Sequence, residues 1–433
     1  MKHLYILAVL AFCLVKATAG MAAENSSTLI RNVQIFNGSD IIASSGSVRI
    51  EGNRFVEVSA QQLEPRAGET IIDGKGRFLM PGLIDAHVHV SWSFPYAKTE
   101  QANNTYATAY AVANAQAMLA RGFTTVRDTG GTDYGLPRAI DDGVVPGPRI
   151  FFTGRTLSQT GGHGDHRNIN APTAEGLLNG FGFSIADGKP EVIKAAREEL
   201  RRGAQFVKIH AGGGVSSPTD PLHSIQYSQE EMNAAVQTAA DRGTYVAAHA
   251  YTPESINRAL NAGVKTIEHG NLIDKKTARL AAKKGAFVVP NLVTYWAFSQ
   301  SNEVPSYIKE KNNTVYEAMA GALKILKDAD VKIGFGTDLI MDMHSLQNQE
   351  FALRSQAFSA LEILRQATSI NGELLELSGP NNPYGKLGVV APGAVADLLL
   401  IDGDPTQDIL IMTRPETLFS LVMKDGIVVR ESN

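Results

Sequence analysis

Across 433 residues there is one cysteine, Cys13, close to the N-terminus. Disulfides and thiolate ligands are therefore excluded from the body of the chain, and any metal has to sit on nitrogen and oxygen. Positive charge is in no excess: 40 Lys and Arg stand against 44 Asp and Glu, a formal net charge of −4. Nothing in that balance would neutralise the phosphates of a nucleic acid, so nucleic acid is not expected as a partner. No Gly-x-Gly-x-x-Gly turn follows an early strand-like run, which counts against an open, doubly wound dinucleotide-binding sheet. Low-complexity tracts are missing too, and the length exceeds what one hydrophobic core usually serves, so a large domain with a smaller companion is the natural expectation.

What is present begins with a leader-like segment. Lys2-His3 precede an apolar run over residues 4–15, followed by Ala17-Thr18-Ala19-Gly20. At about 1.5 Å per residue the run covers roughly 18 Å, short of a hydrocarbon core of roughly 30 Å. The layout predicts a secretory signal peptide over 1–23, cleaved after Ala19 or Ala23, with export to the periplasm or exterior and no stable membrane insertion. Phe12 before Cys13 does not fit a lipoprotein cleavage site.

Short β-rich runs broken by Gly and Asn fill residues 27–72, and the same texture returns only after Gly388. One composite β-sandwich domain built from both chain ends, 24–77 with 386–433, is predicted. Between them, over 78–385, apolar runs alternate with amphipathic stretches such as 106–121 and 191–202. Eight strand-like runs end near His89, Thr129, Leu157, Gly213, Tyr251, Gly270, Leu292 and Asp338. Eight βα repeats predict an α/β fold of the (β/α)8 TIM-barrel type.

The chemistry gathers at those strand ends. His87 and His89 are two apart on an apolar strand, so both rings point to one side. His249, His269 and Asp338 each close a further strand, and in a closed barrel such ends converge on one face. Four histidines and a carboxylate there predict a metal site. Lys208 lies in the apolar run Phe206-Val-Lys-Ile-His210, where an unpaired ammonium is costly to bury. It either pairs or snorkels, or it is carbamylated by carbon dioxide into an anion able to bridge two metals. Asp85 and Glu268 are candidates to support the ligands, although adjacency puts each across the strand from its neighbour. Arg127 and Asp128 close the second strand and are expected to orient the site by pairing.

Together these residues resemble the metal-dependent amidohydrolase superfamily over nearly all of the chain beyond the leader. The likeness rests on Pro81-Gly-Leu-Ile-Asp-Ala-His-Val-His89, Lys208, His249, His269, Asp338 after Gly336-Thr337, and the composite β-domain. It implies that His87, His89 and Asp338 bind the more buried of two divalent ions and that His249 and His269 bind the other. Carboxylated Lys208 would bridge them, and Asp338 would act as general acid–base while a shared hydroxide attacks the carbonyl carbon. Zinc suits imidazole with carboxylate; manganese and iron stay open.

The segments Thr160-Gly-Gly-His163-Gly-Asp-His166, Lys208-Ile-His210-Ala-Gly-Gly-Gly and the run 217–227 resemble the imidazolonepropionase-related branch, which includes Xaa-Pro dipeptidases, carboxypeptidases and ochratoxin amidases. That likeness implies a small amide or dipeptide substrate, with His163 and Tyr251 contacting its α-carboxylate. It also implies a homo-oligomer, an octamer being one form. Trp92, Phe94, Tyr96 and Trp296 are candidates to line an apolar pocket. His210, His166, His223 and His344 are left unassigned. Two other readings stay open: ring opening of a cyclic amide such as an imidazolone or hydantoin, and a non-catalytic binding protein on an inactive barrel.

Overall fold

The computed structural model describes residues 27–95, 103–167, 170, 182–301 and 304–432. The expected signal segment 1–23 and Tyr96 lie outside the described residues.

Both ends of the chain meet in one eight-stranded sheet. The strand Ser27–Phe36 pairs antiparallel with Ile41–Glu51, which pairs in turn with Arg54–Ser59. Its other edge takes Thr70–Asp73 and then Phe78–Pro81, both in parallel. Leu398–Ile401, Phe419–Lys424 and Ile427–Glu431 continue antiparallel from Phe78–Pro81. The sheet closes over a single apolar core in which Ile30, Val48 and Phe55 from the first strands meet Leu398 and Leu421 from the last. Phe78–Pro81 thus belongs to this sheet, and the seam between the two parts falls after Pro81 rather than before Phe78. Strand alternation explains the dual service: Leu79 enters the core of the terminal sheet while Phe78 and Met80 enter that of the barrel.

The remainder is a (β/α)8 barrel. Its strands are Leu83–Val88, Phe123–Asp128, a third in two pieces, then Val207–His210, Val246–Ala250, Thr266–His269, Phe287–Val289 and Lys332–Ile333. The two pieces of the third are Arg149–Phe152, paired with the second strand, and Thr156–Ser158, paired with the fourth. Closure follows from hydrogen bonds across the last seam, Ala86 N–H to Phe335 O at 2.9 Å and Asp338 N–H to His87 O at 2.8 Å.

Local chemistry sets the helix ends. Ser228 and Glu231 form a reciprocal capping box at the start of Gln229–Ala240, satisfying two amides that would otherwise be orphaned. Thr252 caps Pro253–Ala262, and Gly263 ends it with φ of 102°, a left-handed conformation that only glycine adopts without penalty. Among the described residues no helix is long and apolar enough to cross a membrane.

Candidate metal centre

Alternation along Leu83–Val88 and the residue after it turns His87 and His89 to the barrel interior, where both meet Asp338. Asp338 Oδ1 lies 3.3 Å from His87 Nε2 and 3.1 Å from His89 Nε2. The outer nitrogen of each ring is engaged: His87 Nδ1 with Glu268 at 2.8 Å, His89 Nδ1 with the Gly130 carbonyl at 2.8 Å. Both partners only accept, so each ring carries a proton on Nδ1 and directs its Nε2 toward Asp338. Burial disfavours the Asp338 carboxylate, but the surrounding histidines outweigh it and hold its pKa well below the usual range.

His269 and Asp338 both adopt left-handed backbone, with φ of 75° and 53°. In a regular strand Glu268 and His269 would face opposite sides. Here Glu268 accepts from His87 and Arg127 inside the barrel, and the turn at His269 brings its ring in as well, 5.0 Å from that of His87. Such conformations cost of order 1–3 kcal/mol and persist where the surroundings impose them. Asp85 is one such constraint, accepting from Thr337 Oγ1 at 2.7 Å and Gln347 Nε2 at 2.9 Å directly before Asp338.

His249 stands beside His269, rings 4.4 Å apart, and is the register partner of His210 on the neighbouring strand. Lys208 lies below them, fully buried, and that burial lowers its ammonium to about 8 against the opposing pull of Glu268 and Asp338. His163 stacks on His249 at 4.3 Å, and Tyr251 meets His249 edge-on at 4.9 Å. All of these line one cavity of about 930 Å³. Gly214 is required for the arrangement, since a Cβ there would come within 2.0 Å of the His163 ring.

A protein-family model described as the amidohydrolase family matches residues 78–429. The chain belongs to the amidohydrolase family. It is 31% identical to the ochratoxinase of Aspergillus niger over 369 residues, covering 78% of this chain and 73% of that protein. A solved prolidase complexed with N-methylphosphonate-L-proline is 39% identical, with a TM-score of 0.88 over 94% of this chain and 100% of that one. A Xaa-Pro dipeptidase with methionine bound in its active site is 30% identical, with a TM-score of 0.84 over 94% and 100%. The protein is a hydrolase of the branch that holds these enzymes.

The donor set of this amidohydrolase fits a metal. His87, His89 and Asp338 place their ligand atoms within 4.8 Å of one another, as do His163, His210 and His249. His87 Nε2 is buried without a hydrogen-bond partner among the described residues, which a coordinated ion would relieve.

Other expected residues fall differently. Arg127 and Asp128 do not pair: Arg127 binds Glu268 at 2.7 Å, while Asp128 accepts from the Val90 amide at 2.7 Å and from Gly130 and Thr132. Strand alternation separates them. Trp92 lines the cavity, whereas Phe94 packs on Tyr106, and Tyr295 with Phe298 takes the place expected for Trp296. Tyr295 was not anticipated; its hydroxyl bridges Tyr251 and His269 Nδ1, 2.8 Å from each. The aromatic pair Tyr295-Trp296 after the seventh strand was the available signal. His166 reaches the cavity, His344 bonds the Trp92 carbonyl at 3.2 Å and His223 is exposed.

Proposed function

We propose that this amidohydrolase cleaves the amide bond of N-acyl amino acids or dipeptides with a free α-carboxylate, releasing a C-terminal proline or aromatic residue. The observation that carries the reading is His249 flanked by His163 and Tyr251. An amide held over His249 and His269 has its carboxylate between an imidazole and a phenol. Burial lowers the His163 pKa to about 3, so at neutral pH the ring is uncharged and engages a carboxylate through N–H.

In this reading His87, His89 and Asp338 would hold one divalent ion, His249 and His269 would hold a second, and Lys208, once carboxylated, would supply a further anionic ligand between the two groups. Zinc is the ion that suits these donors, and when bound it supplies Lewis-acid polarisation and a water activated near neutral pH. Asp338, fixed between two imidazoles and preceded by the Asp85–Thr337 lock, takes a proton on one carboxylate oxygen and delivers it to the leaving nitrogen. The Tyr251–Tyr295–His269 chain orients the outer imidazole.

The apolar wall of Phe298, Val304, Ile308, Ile340 and Met341 favours a bulky group, which keeps ochratoxin A, with phenylalanine as leaving residue, as the second substrate reading. Ring opening of cyclic amides would need no carboxylate anchor. Hydrolysis of a panel of N-acyl amino acids, Xaa-Pro dipeptides and ochratoxin A, each beside its carboxamide analogue, separates these. Turnover of free acids alone is expected; equal turnover of the carboxamides would remove the carboxylate anchor. Export and self-assembly belong to the same proposal, tested by N-terminal sequencing of the protein from its native compartment and by sedimentation.

A further inference from the structure

Tyr295 stands between Tyr251 and His269, its hydroxyl 2.8 Å from the Tyr251 hydroxyl and 2.8 Å from His269 Nδ1. Tyr251 and Tyr295 are 2% and 1% exposed, so water does not compete for these bonds. The helix Val293–Gln300 that carries Tyr295 is itself fixed: Glu350 accepts from the Leu292 and Val293 amides at 3.0 and 2.8 Å, and Asn312 Nδ2 donates to the Tyr295 carbonyl at 3.1 Å. The side chain is thus held in place, and the direction of the hydroxyl proton is its one free choice. With Nδ1 occupied by Tyr295, His269 has Nε2 to offer an ion, and a neutral imidazole that ligates through one nitrogen carries its proton on the other. His269 Nδ1–H then donates to Tyr295 Oη, the Tyr295 hydroxyl donates to Tyr251 Oη, and the Tyr251 proton turns to the cavity that its side chain lines.

We propose that Tyr295 determines specificity: by occupying the acceptor side of Tyr251 it makes that phenol a donor only, so that the cavity takes a terminal carboxylate and refuses a carboxamide. This rests on the carboxylate-anchored, two-ion reading above and adds the cause of the discrimination. His163 has its Nδ1 engaged by Ser217 Oγ at 2.7 Å and in that reading faces the substrate with an N–H. Between two donors a carboxylate satisfies both with its two oxygens. A carboxamide does not, because whichever way it is turned its own N–H meets a donor, and a buried polar group without a partner is strongly disfavoured. The imidazole proposed to hold the outer ion thereby orders the hydroxyl that reads the substrate's terminus. Tyr295 acts through Tyr251 and is a positioning residue.

The test compares the zinc-loaded protein with Tyr295→Phe in two readouts. One is kcat/KM for the best free acid of the substrate panel against its carboxamide; the other, which needs no turnover, is the calorimetric Kd of L-phenylalanine and L-proline against their amides. The protein is expected to prefer the acid of each pair. Tyr295→Phe should narrow that preference roughly tenfold or more, through a lower KM and Kd for the amide, since the freed Tyr251 oxygen accepts its N–H. Loss of the His269 partner acts on both members of a pair alike and cancels in the ratio. In a Tyr251→Phe background, adding Tyr295→Phe should leave the ratio where it was. An unchanged ratio in Tyr295→Phe alone, or a further change on top of Tyr251→Phe, overturns the filter and leaves the carboxylate reading standing; no acid preference in the protein itself overturns both. Should Tyr295→Phe not fold, nitrogen NMR of the zinc-loaded protein with labelled histidine reads the chain directly: a proton on His269 Nδ1 is expected, and a proton on Nε2 reverses the chain and overturns the filter.

Discussion

Glu268 accepts a hydrogen bond from His87 Nδ1 at 2.8 Å and a forked contact from Arg127 Nη2 at 2.7 and 2.8 Å, with all three side chains buried. One carboxylate thus sets the tautomer of a proposed ligand and neutralises a guanidinium inside the barrel. Glu268→Gln keeps the shape and removes the charge. Removing one partner of a buried pair costs about 3–5 kcal/mol, and loss of a ligand's outer partner lowers metal affinity roughly 10–100-fold. The variant should melt lower and surrender its metal to a chelator sooner. Superimposable chelator-competition curves would contradict this.

Lys208, with its ammonium pKa lowered to about 8, has a larger neutral fraction near that pH than an ordinary lysine, and the proposed carbamate forms from that neutral amine. Metal loading of the apoprotein should therefore be slower and less complete in carbon dioxide-depleted buffer, and bicarbonate should restore it. Lys208→Ala should bind fewer ions per chain and ignore bicarbonate. Two ions and full activity in that variant would dispose of the bridging carbamate.

Lys311, on the helix Ser306–Asp328, donates to the carbonyls of Gly214, Ser217 and Asp220 at 2.9, 2.8 and 2.5 Å. That loop carries the Ser217 hydroxyl bonded to His163. Lys311→Met should raise KM for free-acid substrates several-fold with a smaller effect on kcat, and Lys311→Arg should not rescue it, because a planar fork cannot reach three carbonyls as an ammonium does. An unchanged KM, or a loss confined to kcat, would show that the clamp does not position His163.

In the terminal sheet Arg49 Nε bonds Glu69 at 2.8 Å. Burial works against the Glu69 carboxylate, but the guanidinium, the Ser27 hydroxyl and the Arg66 amide prevail and hold its pKa at about 2. An unfolded glutamate titrates near about 4.3, so the folded state gains stability that is complete above that value and is lost as pH falls toward 2. The difference in melting temperature between the protein and Glu69→Gln should be larger at pH 7 than at pH 3. A difference constant across that range would mean the carboxylate is not ion-paired.

The barrel and the gathering of His87, His89, His249 and Asp338 were legible because strand alternation and strand ends are written in the chain itself. His269 was legible as a strand end but not as a neighbour of Glu268, since the two share the interior only through a positive φ, which periodicity does not encode. The break in the third strand at residues 153–155 was hidden for a related reason: it arises where Lys208 N–H donates to Thr153 Oγ1 at 2.9 Å, a tertiary contact. Trp296 was expected at the pocket as an aromatic of the loop after the seventh strand, whereas the place is taken by its neighbour Tyr295, whose hydroxyl bridges Tyr251 and His269.

Barrel closure through Ala86 and Phe335, and sheet closure through Met80 and Leu399, have a consequence for synthesis. At roughly 5–20 residues per second, the first barrel strand leaves the ribosome on the order of ten seconds or more before its partner across the last seam exists. Until then its apolar edge is open and the proposed metal ligands are incomplete. Contacts so distant in sequence also slow folding. The nascent chain therefore has a long interval in which a holdase would protect it, and the proposed metal ligands come together only once the last strand has docked.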